Sequence, residues 1–352
     1  MGLEWSRNDM EGGKRQPPRL SDIASRLGLS KAAISKALRD SPDISPSTRE
    51  RVKLAAHEMG YLPNFLARSL TTGSKVFGVV IPKVQHTFFA AVLAGINSAV
   101  AARDFEMVLG ISGEDPVVER RHVETFLSMR AAALLISVTE HTRALDEQLC
   151  RSAADNGVPL VFFDRVPTNP GGVKRVVMDD FGGAKAAVAA SIDHGYRRVA
   201  HLAGSSVTNI GRDRRAGYEA ALREAGIAPR GEWIIESRFD EQAGFDGFQK
   251  LWAQSERPDA LFCASFPVAL GAIHALKVHA PEHLSKIVII FFGLGDIVHL
   301  LDIQYICVVQ PAVEMGRAAA NMAFTALADP QRATEQILGL EIVCAVKPRT
   351  AS

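Results

Sequence analysis

From Lys75 onward the chain alternates short apolar runs with helix-length amphipathic stretches, and this alternation leaves few folds open. The runs at 76–81 (VFGVVI), 107–111, 133–137 and 160–164 read as strands. So do those at 175–179, 198–204, 260–264, 286–292 and 305–309. Segments 88–103, 117–129, 142–156, 182–194, 212–226 and 267–279 lie between them with helical patterning. Strand–helix alternation predicts parallel sheets covered by helices on both faces. So many strands suggest two sheets, hence two lobes. The Pro- and Gly-rich stretch within 165–172 is the expected first crossing between lobes, and 293–311 the expected second. An apolar content of 47% over 352 residues suffices for large cores in two or three domains.

Residues 20–60 have a different pattern, all helical. Ser21 is placed to cap a first helix carrying Ile23, Ala24 and Leu27, which Gly28 ends. Ser30 caps a second with Ala33, Ile34, Ala37 and Leu38 at helical spacing. After the loop at Ser41-Pro42-Asp43, Ser45 caps a third, with Pro46 at its first position and Gly60 at its end. Two short helices joined by a glycine-centred turn, with a third behind them, fit a helix-turn-helix. The second helix would enter a DNA major groove, with Lys31, Ala32 and Lys36 toward the bases and Ser35 near the backbone. Ser30, Arg39 and Asn64 are placed to bind phosphates. A small helical bundle with a basic face is the plainer alternative. Charge favours DNA: residues 1–73 hold 12 Lys and Arg against 8 Asp and Glu, whereas the remainder holds 28 against 31.

The head resembles that of the lactose-repressor (LacI) family of bacterial transcription regulators. The resemblance rests on D-I-A-x-x-x-G-L-S from Asp22, I-S-K at Ile34–Lys36, S-x-x-T-R-x-x-V at Ser45–Val52 and G-Y-x-P-N-x-x-A-R-x-L at Gly60–Leu70. It continues more loosely to about residue 350. It implies a hinge helix after Pro63 that folds when a homodimer sits on double-stranded operator DNA. Leu70 matches the family's minor-groove wedge, and Ala67 lies one turn before it. The implied organisation is a disordered extension (1–18), an all-α helix-turn-helix domain (19–62) and a hinge (63–74). Residues 75–352 form an α/β periplasmic-binding-protein-like body of two doubly wound parallel-sheet lobes, which binds a small-molecule effector and dimerises.

The resemblance also implies a cleft beyond the carboxyl ends of the strands. Asp164 matches a carboxylate that meets ligand hydroxyls, Arg214 the effector arginine, and Phe239 a stacking aromatic. Phe88 and Phe89 match the end of an N-P-F-F motif, which here reads His86-Thr87-Phe88-Phe89. The family's A-N-D reads Ala264-Ser265-Phe266, which puts Ser265 at the cleft. Its G-[FY]-D-D becomes Phe291-Phe292-Gly293-Leu294, so Gly293 replaces a ligand-gripping carboxylate. With two acidic positions lost and Arg214 kept beside Arg165, Arg212 and Arg215, the expected effector is anionic or apolar, not a simple neutral sugar. A degenerate pocket on a constitutive DNA binder is the other reading.

Enzymatic signatures are missing from the sequence: no G-x-G-x-x-G after the first strand, no phosphate-binding P-loop, no G-x-S-x-G and no H-E-x-x-H. Neither a cofactor nor a metal site is expected. Cys150, Cys263, Cys307 and Cys344 form no C-x-x-C pair and read as small core residues. His194 matches a structural turn. A transport binding protein would share the body but need an export signal, and the first 18 residues hold no apolar core for one. No run approaches the ~20 apolar residues of a membrane span. The expected location is the bacterial cytoplasm, at the nucleoid.

Overall fold

The computed structural model describes residues 17–62, 74–85, 87–140, 147–167, 173–293, 303–332 and 335–346. The chain divides into two compact units, Met1–Thr72 and Gly73–Ser352.

The first unit holds α1 (Leu20–Leu27), α2 (Lys31–Leu38) and α3 (Pro46–Glu58). Helix α1 begins one residue before the expected Ser21 cap. Asp22 in its first turn reaches back and accepts from the Arg19 amide at 2.7 Å, so Arg19 becomes the capping position. Gly28 then ends α1 in the left-handed region (φ 67°). The other two caps form as expected. Ser30 Oγ accepts from Ala33 N at 3.1 Å, and Ser45 Oγ from Thr48 N at 3.3 Å. Ile23, Ile34, Ala37 and Val52 meet in a dry core that holds the three helices together.

In the second unit two sheets form. The first lobe orders its strands β2 (Glu106–Ile111), β1 (Val76–Ile81), β3 (Ala133–Ile136), β4 (Leu160–Phe163), β5 (Lys174–Met178) and β11 (Glu335–Leu338), all parallel. The second orders β7 (Ile234–Glu236), β6 (Val199–Ala203), β8 (Ala260–Cys263), β9 (Val288–Gly293), β10 (Gln304–Val309) and β12 (Glu341–Ala345), with only β12 antiparallel. Strands β1, β3, β8 and β9 are buried along their whole length, which is why they read as unbroken apolar runs.

Helices α4 (Thr87–Ala101) and α11 (Ala312–Ala328) cover one face of the first sheet, and α5 (Pro116–Ser128) and α6 (Glu147–Asp155) the other. In the second lobe α7 (Asp180–Asp193) and α8 (Asn209–Glu224) lie on one face, α9 (Glu241–Trp252) and α10 (Phe266–His279) on the other. Each sheet is therefore doubly wound, as the alternation required.

The first crossing differs from expectation. Chain 165–172 is not a crossing, because β5 pairs with β4 in the same sheet, Val161 opposite Lys174. The first passage follows Met178, where α7 enters the second lobe. Strands β9 and β10 also share a sheet, so the second passage comes after Val309, at the end of the expected 293–311 span. A third, unexpected one links β11 to β12 through Gly339-Leu340. Cys344, expected in the core, is exposed on β12; Cys263 and Cys307 are buried and Cys150 is half-buried. His194 caps α7, its Nδ1 2.7 Å from Ala190 O. Among the described residues no helix is long and apolar enough to cross a membrane.

Candidate DNA-reading surface and interlobe cleft

At 100° per residue, Lys31, Ala32, Ser35, Lys36 and Arg39 fall within an arc of about 140° on α2. Ile34 and Ala37 occupy the opposite side and are fully buried. Lys31, Ala32, Lys36 and Arg39 are exposed and Ser35 is half-buried. The head core thus turns one polar, cationic face of α2 to solvent. Lys36 Nζ lies 2.8 Å from Asp43, and this pairing holds the Asp43 carboxyl below its ordinary range. Lys31 and Arg39 have no ion-pair partner among the described residues. The Ser30 hydroxyl is committed to the helix cap. Asn64, Ala67 and Leu70 lie outside the described residues, as do residues 1–16.

In the body, every residue expected at the cleft lines one cavity of about 300 Å³. Strand ends supply most of it: Asp164 after β4, Phe239 after β7, Ser265 after β8 and Gly293 at the end of β9. Phe88 and Phe89 come from the start of α4 and Arg214 from α8. Parallel strands all point their carboxyl ends at this place, so residues remote in sequence converge there.

Arg214 does not stand unpaired. Its Nε and Nη2 both lie 2.7 Å from Asp180 Oδ1. Nε makes the aligned hydrogen bond and Nη2 makes none. Nη1 donates to Ala264 O, and the guanidinium stacks 3.8 Å from the Phe292 ring centroid. Arg165 is also engaged. Its Nη1 lies 2.9 Å from Glu114, its Nη2 3.9 Å from Glu140, and its guanidinium 5.0 Å from the Phe239 ring. Arg215 pairs with Glu219 at 3.0 Å, and Arg212 donates to Val207 O at 3.0 Å. The expected surplus of free guanidinium is therefore absent, and with it the ground for an anionic effector. Burial alone would punish the Arg165 and Arg214 cations heavily, so both are held by carboxylates that lie just beyond strand ends.

Asp164 is 4% exposed, with Ser137 Oγ 3.5 Å from its Oδ2. Burial pushes its carboxyl up to about 6, against the pull of Arg165 and Arg214. Its backbone sits at φ 60°, unusual for a residue with a side chain. Asn209, at the start of α8, secures that turn from the other lobe. Its Nδ2 donates to Asp164 O at 3.0 Å and its Oδ1 accepts from Val166 N at 3.1 Å. Glu140 adds a second link, accepting from Phe239 N at 3.2 Å. Burial raises the Glu140 carboxyl, whereas Glu114 is lowered because Arg165 and the Glu140 amide outweigh its own burial.

Asp180, Asn209, Glu114 and Glu140 are the functional neighbours that sequence reading missed. Only the paired acids Asp179-Asp180 after a strand and the asparagine opening a helix offered a local signal. Nothing local announces Glu114 or Glu140.

Two family descriptions match the chain. "Bacterial regulatory proteins, lacI family" matches residues 19–64, and "Periplasmic binding proteins and sugar binding domain of LacI family" matches 74–342. The ribose operon repressor of Haemophilus influenzae is 29% identical over 334 residues, 93% of this chain and 97% of that one. The transcriptional regulator GalS of Salmonella typhimurium is 30% identical over 311 residues, 86% of this chain and 88% of that one. Among solved structures, the lac repressor dimer bound to operator and the anti-inducer ONPF superposes with a TM-score of 0.78 at 22% identity. It covers 93% of this chain and 98% of its own, a likeness of fold. A LacI-family regulator from Silicibacter pomeroyi gives a TM-score of 0.76 at 25% identity, with the same coverage.

Proposed function

The chain belongs to the LacI family of bacterial regulatory proteins, and we propose on that footing that it represses transcription as a homodimer on a pseudo-palindromic operator. It is a DNA-binding transcriptional regulator and not an enzyme. The observation that carries the reading is the exposed arc of Lys31, Ala32, Lys36 and Arg39 on a helix whose opposite face is the head's core. Residues 19–62 read the major groove, 63–74 form the hinge, and 75–352 sense a small molecule and dimerise. The protein works in the cytoplasm, on the nucleoid.

The interlobe cavity supports retained sensing. An effector there shifts the two lobes relative to one another and so alters the spacing of the paired hinges. It shifts that equilibrium only by its differential affinity for the two arrangements. Leu70 of each protomer wedges into a base step, at an unstacking cost of a few kcal/mol repaid by the bent complex. Ala67 packs one turn before it, and Asn64 steadies the phosphate backbone.

Selection from random DNA followed by gel shift tests this reading. Palindromic sites should emerge, and Leu70→Ala should weaken binding to them far more than to nonspecific DNA. Failure to select any site would remove the regulator reading, and equal loss on both DNAs would remove the wedge.

A further inference from the structure

The walls of the cleft carry an inference about its ligand, and it rests on the cleft being the effector site. The space beside Gly293 is tight. A β-carbon there would lie 3.2 Å from Phe266 Cβ and 3.2 Å from the Phe291 ring. The two rings pack 5.4 Å apart, so the first carbon of an acidic side chain at 293 would have to push them back by a few tenths of an ångström. Phe266 and Leu270, both on α10, make this part of the lining apolar. A polyol carries hydroxyls around its whole rim. Those facing this wall would be stripped of water and given nothing in return.

The charges oppose an anion as well. Arg165 faces Glu114 and Glu140, and Arg214 faces Asp180. Asp164 adds a fourth carboxylate against two guanidiniums, so an incoming anion meets a site whose cations are already countered. A ligand cation would find two of the aromatic faces taken. The rings of Phe239 and Phe292 each already hold a guanidinium, at 5.0 and 3.8 Å. The cavity offers a ligand the Ser265 hydroxyl and Arg214 Nη2, which make no hydrogen bond among the described residues, and acceptor capacity at Asp164. The hydrogen bond its carboxylate accepts from Ser137 is long, at 3.5 Å, and leaves lone pairs for a ligand.

We propose that the cleft binds a compact neutral molecule with an apolar ring face laid against Phe266 and one N–H or O–H donor directed at Asp164. Phe266 and Gly293 together set this preference, one by filling the space and the other by leaving it to be filled.

Calorimetric titration of the full-length protein with benzamide, benzoate and glucose tests it. Benzamide and benzoate share a shape and differ in charge and donor; glucose is the polyol. Benzamide should bind at least about tenfold more tightly than either of the others. Phe266→Asp should weaken benzamide by about tenfold or more while its melting transition persists. Benzoate or glucose binding as tightly as benzamide, or no heat from any of the three at millimolar concentration, overturns the proposal. Leu270→Trp, which fills the cavity, separates the two levels of failure. If it abolishes binding of a preferred glucose, only the ligand class falls. If it leaves the preferred probe's affinity unchanged in a folded protein, the cleft itself is not the site.

Discussion

Inside the second lobe His201 lies between Phe262, stacked at 4.4 Å, and Tyr218 at 5.1 Å. Its Nδ1 bonds Phe262 O at 2.9 Å, while Nε2 has no partner among the described residues. Burial presses its imidazole down to about 4 from an ordinary 6.5. In the unfolded chain the same ring takes a proton near 6.5, so between 6.5 and 4 the unfolded state binds more protons. Stability is therefore lost as pH falls through that window, by about 3 kcal/mol in all. Asp164 works the other way. Its carboxyl sits at about 6 in the fold and 3.8 once unfolded, so the native state holds the extra proton between those values. Acidification through that window adds stability, again by about 3 kcal/mol. The two nearly cancel between about pH 6 and 4. Asp164→Asn should expose the histidine, making urea stability fall more steeply than wild type as pH drops from about 6.5 to 4; parallel curves would contradict this. Local motifs marked Asp164 and Arg214 as special but suggested the wrong company for them. Pairing with Asp180 depends on how α7 lies beside α8, and spacing along the chain carries no information about that.

The turn after β4 shows how elements hold the cleft. Asn209 comes from the first residue of α8, which belongs to one lobe, and clamps backbone of the other at Asp164 and Val166. Asn209→Ala would leave a buried N–H and a buried C=O unpaired in a turn already strained at φ 60°. The expected cost is about 2 kcal/mol, read as a lower unfolding midpoint. Faster amide exchange should be confined to residues near 164–166. Uniform exchange across the body would show that Asn209 supports the fold at large and not this clamp. Strong central strands such as β1 and β9 were legible because burial on both faces forces apolar runs. Strands β7, β11 and β12 were not. They lie at sheet edges, carry residues such as Glu236, Glu335 and Glu341, and exist because a neighbouring main chain offers hydrogen bonds. The first crossing was misplaced for a related reason. A Pro- and Gly-rich loop marks a bend, but which sheet the next strand joins is settled by tertiary pairing.

At the scale of the whole molecule the charge is divided, a basic first segment on a mildly acidic remainder, which biases approach to DNA toward the head. Helix-turn-helix patterning was legible because caps, core positions and recognition face repeat within a few dozen contiguous residues. Its cations are not equivalent, however. Lys31 has no ion-pair partner among the described residues, whereas Lys36 is engaged by Asp43. A phosphate must displace that carboxylate to claim Lys36, so in solution Lys31 is the readier of the two. Each phosphate contact contributes about −0.9 to the slope of log affinity against log salt. A dimer losing two such contacts through Arg39→Ala should therefore show a slope shallower by about 2, with similar loss on every sequence. Asp43→Asn should act oppositely, releasing Lys36 and strengthening nonspecific binding at low salt. Lys31→Ala should instead alter the selected sequence, because its place on α2 is toward the bases; an unchanged slope in Arg39→Ala would take phosphate neutralisation away from Arg39.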